Sequence, residues 1–401
     1  MLKNISLSRK LILIVLAPLL GFLWLGTLYV NESYKTLRQM EYTVEASSAA
    51  QQVSQLITTL QRERGASGVF LGSQGRLMSR RLPGLRQATD EASNAVATLA
   101  LKDDAQLASA LLALNELRGT RAQIDSFAIS NVESGARFTG IIKSLIGFTH
   151  ALEARVEDAE LARALSGLNQ FIEMKERAGR ERAMLGVVFG QDRFDATLLA
   201  SFSRNLGEFT AYLDGFRRTA AERLVGLLDQ QMQQGSAQEV ARLQRLAFDV
   251  PIGQSLGVDS ETWFETATSR IDLMGEVERQ LAEHVGELAA ASRDEARSAL
   301  WMTLTAVIVA LVAVTVLSLL IIRNIKTAVH EVNHTLLALS ARDLTAKANY
   351  QGRDEFGEIA SNLNVMAGEL QQIVREIGSA TAQVATAAEE SSAVTVQTSA
   401  S

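Results

Sequence analysis

The chain has no cysteine, three prolines and few aromatic residues. Without cysteine, no disulfide braces the fold and no thiolate serves as nucleophile or metal ligand. Prolines only at Pro18, Pro83 and Pro251 leave long stretches with no helix breaker. Aromatics are 5% of a chain that is 47% hydrophobic. The apolar content is therefore aliphatic and alanine-rich, which speaks against a sheet protein. A net charge of −6 over 401 residues identifies no partner, and no basic face points to nucleic acid. A P-loop, a dinucleotide fingerprint and a Ser-His-Asp arrangement are also missing. No enzymatic activity and no cofactor are expected.

What is present begins with two uncharged apolar runs, residues 11–30 and 300–322. Each has about the 20 residues that a helix needs to cross a bilayer core. Trp24, Tyr29 and Trp301 stand toward one end of the runs, where amphipathic rings favour a membrane interface. The first run is longer than a signal-peptide core and no A-x-A site follows, so an uncleaved anchor is expected. Lys3, Arg9 and Lys10 precede it, and Arg323 and Lys326 follow the second run. The positive-inside rule puts both flanks in the cytoplasm. The layout is thus a cytoplasmic N-terminus at 1–10, a span at 11–30, an extracytoplasmic segment at 31–299 and a span at 300–322. The expected location is a bacterial inner membrane with the segment 31–299 in the periplasm.

That segment reads as helix throughout. Val53, Leu56, Ile57 and Leu60 recur at helical spacing, and no Gly or Pro interrupts 31–64. One long helix is expected to run out of the first span to about Gly72. Gly72, Gly75, Pro83 and Gly84 then mark a turn. Further helices are expected over roughly 84–102, 106–130, 133–156, 158–190, 194–234 and 236–248, and a last one from about 260 into the second span. Eight helices of this length suggest two stacked antiparallel bundles.

One stretch is written twice. Residues 62–72 read RERGASGVFLG and residues 180–190 read RERAMLGVVFG, identical at six of eleven positions with an offset of 118 residues. Each copy sets arginines before a small-residue, apolar stretch, where a guanidinium is costly unless something satisfies it. Arg62 and Arg64 on one helix, with Arg177, Arg180 and Arg182 on another, present planar forks that match a small oxyanion. Residues two apart diverge by about 200° on a helix, so neither Arg62 with Arg64 nor Arg180 with Arg182 faces one pocket squarely. Glu63, Glu176 and Glu181 lie close in sequence. On residue chemistry alone, structural ion pairs and an anion site both remain open.

The texts LQRERGASGVFLGSQG (60–75) and KERAGRERAMLGVVF (175–189) resemble the NIT domain, the nitrate- and nitrite-sensing module of bacterial receptors and antiterminators. The resemblance implies an all-helical module of two four-helix bundles that binds nitrate or nitrite through arginines. It assigns Arg62 and Arg64 to the motif on the first helix, Arg177 and Arg182 to the later helix, and Arg180 beside them. A further arginine from 242–245 is a candidate that no motif fixes. Nitrate suits such a site, being planar with three equivalent acceptors. Charge-assisted bonds of about 1.5–3 kcal/mol each support micromolar binding, near −8 kcal/mol.

Beyond the second span, Ile325, Val329, Val332, Leu336 and Leu339 are spaced 4, 3, 4, 3. A connector with Asp343-Leu344-Thr345 and Asp354-Glu355-Phe356-Gly357 follows. Phe356, Ile359, Leu363, Met366, Leu370, Ile373 and Ile377 then continue a heptad. Two heptad helices joined this way imply a parallel coiled-coil bundle in a homodimer. Residues 323–375 resemble a HAMP domain, with two departures: Thr327-Ala328 stand where a proline is usual, and Arg342 where a glycine is usual. Within the first helix, His330-Glu331-Val332-Asn333-His334 spells the H-E-x-x-H zinc motif. Val332 is a heptad core position there, so a relay helix is expected and no metal site.

Residues 376–401 carry the heptad onward with small residues, QVATAAEESSAVTVQTSAS at their end. They resemble the start of the signalling coiled coil of methyl-accepting chemotaxis proteins, cut before the kinase-contacting tip. Glu389-Glu390 look like a methylation pair or a solvated helix face. The whole therefore reads as an all-α chemoreceptor with a periplasmic double four-helix-bundle sensor and a HAMP parallel coiled coil. In a full-length chain its partners are a chemotaxis kinase and a coupling protein. A sensor histidine kinase or a cyclase-type receptor with the same input is the alternative, as is a truncated receptor that binds no small molecule.

Overall fold

The computed structural model describes residues 5–99, 101 and 104–399, with side chains to residue 392. Among these residues the chain is all helix and turn. The helices are α1 (Leu7–Gly72), α2 (Leu82–Ala97), α3 (Ala105–Asn115), α4 (Leu117–Asp125), α5 (Asn131–Glu153) and α6 (Ala159–Gly190). They continue with α7 (Ala196–Thr219), α8 (Glu222–Gln231), α9 (Gly235–Asp249), α10 (Ser260–Ser340) and α11 (Glu355–Ser399). Four of the starts are written locally. Asp104, Ser130, Asp158 and Asp195 each accept a backbone N–H of the first turn, so an otherwise orphaned donor is satisfied.

Two stretches expected as single helices are each two. The stretch 106–130 breaks at Glu116 and ends at Asp125. The stretch 194–234 breaks at Ala220, which is extended with ψ 155°. No Gly or Pro marks this second break. Its cause is tertiary, since a Cβ on Gly167 of α6 would lie 3.4 Å from the Ala220 Cα. The turn is pressed against α6, and that packing overrides helix propensity.

The chain divides into two compact units, Ser33–Leu300 and a second formed by residues 1–32 with 301–401. In Ser33–Leu300 two apolar cores form. The larger gathers Val53, Leu56, Ile57 and Leu60 of α1 with Phe138 and Phe148 of α5, Phe171 and Met174 of α6, and Met274 and Val277 of α10. The smaller joins Leu185, Val188 and Phe189 of α6 to Phe202, Val240, Leu243 and Trp263. Along α6 the change of core falls between Ala178 and Leu185, in the second copy of the repeated text.

In the other unit, α1 and α10 each contain a stretch long and apolar enough to cross a membrane. Their side chains are largely exposed, as at Ile14 (69%) and Leu317 (60%). The two helices approach at Gly26, where a Cβ would stand 2.9 Å from Val307 Cγ1. The connector between α10 and α11 is held by side chains. Asp343 accepts from the Thr345 N–H at 3.0 Å, and Asp354 accepts from the Gly357 N–H at 3.0 Å. Asn364 bonds both backbone groups of Ala348, at 2.9 and 3.0 Å. Arg342 has φ +70°, the left-handed conformation that glycine adopts at least cost.

Candidate functional site

The two copies of the repeated text sit on α1 and α6 and exchange their arginines. Arg64 of α1 lies over Gly179 of α6, where a Cβ would be 3.0 Å from Arg64 Nη2. Arg182 of α6 lies over Gly65 of α1, where a Cβ would be 2.9 Å from Arg182 Cζ and would overlap Nη2. Absent side chains at 65 and 179 are therefore what seats two guanidinium groups between packed helices. Arg64 and Arg182 are the same position of the two copies, 118 residues apart.

Their surroundings differ. Arg64 donates through Nη1 and Nη2 to Glu176, at 2.7 and 3.0 Å, and through Nη1 to Thr139. Glu176 is fully buried and also accepts from Arg180 Nε at 3.0 Å and Gln61 Nε2 at 2.9 Å. Burial pushes its carboxyl pKa up, but Arg64 and then Arg180 hold it below the usual range. Arg182 is 3% exposed and has only neutral partners. It donates to Thr268 Oγ1 at 2.8 Å and to the Gln61 carbonyl at 3.2 Å, and stacks 4.7 Å from the Phe264 ring centroid. Its Nε has no hydrogen-bond partner, and among the described residues no carboxylate forms an ion pair with it. Burial, with Arg64 alongside, pushes its guanidinium pKa down to about 10.

Arg182 opens on a crevice of about 10 Å³ between α1, α6 and α10. Thr58, Gln61, Arg62, Gly179, Ile271, Asp272 and Gly275 complete its lining. The space fits about one water molecule. Arg62 reaches the mouth and pairs with Asp272 at 2.7 Å, both half-exposed. Below Thr58, Lys175 is completely buried and bonds Glu278 of α10 and the Thr58 hydroxyl, with Ser54 also donating to Glu278.

The five arginines singled out in the sequence are thus distributed unevenly. Arg62 and Arg182 line the crevice, and Arg64 and Arg180 stand behind it on Glu176. Arg177 faces another way, pairing with Glu173 and Glu208 and stacking on Tyr212 at 4.7 Å. Arg242 pairs with Glu239 on an exposed face. Glu63 and Glu181 also point away from the crevice. Glu63 takes Arg121 at 2.7 Å, and Glu181 takes Arg270 at 2.7 Å with Gln244 beside it. Thr58, Thr268, Phe264 and Asp272 carried no motif, and Gln61 lay inside the text at 60–75 without being singled out. The offset of 118 would have drawn attention to Thr58, since it is the counterpart of Glu176.

What decides the family is the match that spans this site. The family described as nitrate and nitrite sensing, NIT, matches residues 55–286. The chain belongs to the NIT family. A HAMP domain also matches, at residues 320–372. This NIT chain is similar to the nitrate regulatory protein of Klebsiella oxytoca, 26% identical over 259 residues, 61% of this chain and 63% of that protein. It spans less than two thirds of that relative's length. It also shares its fold with the structure of the NasR transcription antiterminator, at a TM-score of 0.60 and 21% identity, covering 86% of this chain and 98% of the other. The NIT and HAMP matches support nitrate or nitrite sensing coupled to signal relay.

Proposed function

We propose that this NIT-family chain is a membrane-anchored receptor for nitrate or nitrite, with Arg182 as the group that takes the anion. The observation that carries the reading is a guanidinium 3% exposed, with no ion-pair partner among the described residues, at the wall of a crevice. A buried charge without a counterion is costly, and a small monoanion would supply what the fold does not. Arg62 at the mouth is matched by Asp272 and Arg64 behind by Glu176, so Arg182 is the unmatched charge of the crevice lining.

The crevice has space for about one water, so a nitrate ion must part α1, α6 and α10 to enter. That difference between filled and unfilled packings is what a signal requires. In this reading α10 passes the shift from the sensor, across the second span, to the HAMP region, and the sensor lies outside the cytoplasmic membrane. The receptor acts as a homodimer without catalytic chemistry of its own. Exposed Met366, Leu370, Ile373 and Ile377 support the dimer, since they repeat at heptad spacing on α11. The output is of the chemoreceptor type, with a chemotaxis kinase and coupling protein as partners, in keeping with the small-residue heptads of 376–401.

Calorimetric titration of the full chain in lipid nanodiscs with sodium nitrate, nitrite, sulfate and phosphate tests the input. Heat from nitrate or nitrite, lost in Arg182→Met, is expected. Heat from sulfate or phosphate alone would remove the reading.

A further inference from the structure

The duplicated text gives two guanidinium seats, and they differ at one pair of positions. An offset of 118 residues maps Glu176 onto Thr58 and Arg64 onto Arg182. In the first seat Arg64 holds the Glu176 carboxylate through both terminal nitrogens. In the second, Thr58 stands at the counterpart position and lines the crevice, its hydroxyl accepting from Lys175 and donating to the Ser54 carbonyl.

A carboxylate is itself a planar monoanion that accepts a guanidinium fork. Glu176 accepts four hydrogen bonds, from Arg64 twice, Arg180 and Gln61, which uses the capacity of both its oxygens. It is a tethered monoanion in a closed site. The geometry points to Glu176 as a specificity-determining residue: it satisfies Arg64 from within the chain, so that the crevice offers an external anion one unmatched charge.

The charges around the opening bear this out. Arg62 and Arg182 stand against Asp272 in the crevice lining, leaving one positive charge in excess. Arg64 is matched by Glu176, Lys175 by Glu278, and Arg180 shares Glu176 while its side chain remains 34% exposed to solvent. A monoanion neutralises the excess on Arg182. A dianion such as sulfate brings a second charge into a narrow crevice where, among the described residues, no second unpaired buried guanidinium meets it, and desolvating that charge is unfavourable. The crevice therefore selects by charge number before it selects by shape. This rests on the proposal that Arg182 takes the anion, and it adds which residue sets the charge limit.

The test uses the full chain in nanodiscs, titrated with sodium nitrate and sodium sulfate. The wild-type chain is expected to take up nitrate and to reject sulfate. Glu176→Gln frees Arg64 and Arg180 without shrinking the side chain, and the nitrate-to-sulfate affinity ratio is expected to fall by about ten-fold or more. Thr58→Glu builds into the second seat the carboxylate that the first already has, and nitrate uptake is expected to vanish while the cooperative melt persists. Wild-type nitrate binding with an unchanged ratio in Glu176→Gln overturns the inference and leaves the nitrate reading standing. So does a Thr58→Glu chain that binds nitrate as the wild type does, which decides the matter if Glu176→Gln does not fold. Wild-type sulfate binding as tight as that of nitrate overturns it without any variant. Heat from neither anion overturns this inference, and if sodium nitrite gives none either, the nitrate-or-nitrite reading falls with it.

Discussion

Arg64 and Arg182 occupy equivalent places in a repeated text, yet removing them has opposite consequences. Arg64→Ala leaves Glu176 buried with only Arg180 and Gln61 to satisfy it. Breaking such a pair is expected to cost about 3 kcal/mol, read as a lower denaturation midpoint. Arg182→Met removes a buried charge that has no counterion and fills the same space with an apolar chain. The ligand-free protein is expected to be as stable as wild type or more so, while nitrate no longer raises its melting temperature. A loss of stability in Arg182→Met as large as in Arg64→Ala would mean that Thr268, Gln61 and Phe264 already satisfy the guanidinium.

A second residue-scale consequence lies at His150. Ion pairs with Glu153 and then Glu173, each at 3.7 Å, raise its pKa from 6.5 to about 9. The folded pKa exceeds the unfolded one, so the ion pairs stabilise the protein fully below about pH 6.5. They lose that effect as pH rises through about 9. The ring is 43% exposed, so solvent screens part of the effect. The melting-temperature gap between wild type and His150→Gln is expected to be widest near pH 6 and to close by pH 10. A gap constant across that range would assign the loss to packing.

At the scale of the element, much was legible. The end of α1 at Gly72, the start of α10 near 260 and the pair of heptad helices around a connector all follow from periodicity and breakers. The break at Ala220 was not, because its cause is contact with Gly167 and neither residue announces it. The site was legible in half. The arginines showed themselves through repetition and resemblance, and the divergence of Arg62 from Arg64 followed from helix geometry. The partners did not, since Thr268, which bonds Arg182, and Asp272, which lines the crevice, both come from α10, 86 and 90 residues on from Arg182. The preference for glycine at 342 was visible as a departure, and φ +70° at Arg342 gives its physical content. Arg342→Gly is expected to stabilise the connector by about 1 kcal/mol, the usual cost of holding an L-residue left-handed. Thermal unfolding of the full chain measures it, and an unchanged or lower midpoint would show that the Arg342 side chain makes up for its backbone.

For the whole molecule, the absence of cysteine becomes an experimental advantage. A single Met366→Cys places one thiol on the exposed apolar stripe of α11 with no competing thiol in the chain. Disulfide-linked dimers are expected to form in membranes under mild oxidation, at a rate that changes when nitrate is added. Thr386→Cys, off that stripe, serves as the comparison. Equal cross-linking at both positions would speak against a specific parallel pairing.

The seat of Arg182 between helices has one more consequence, for the water the cell lives in. Mobile ions screen surface charges over about 8 Å at physiological ionic strength, but they reach buried pairs much less. A receptor whose cation lies behind Phe264 and Thr268 should keep its affinity nearly level as inert electrolyte is raised, where a patch of surface arginines would lose most of it. With the sensor outside the membrane, as proposed, such a cell would read the same anion concentration in fresh and in brackish surroundings.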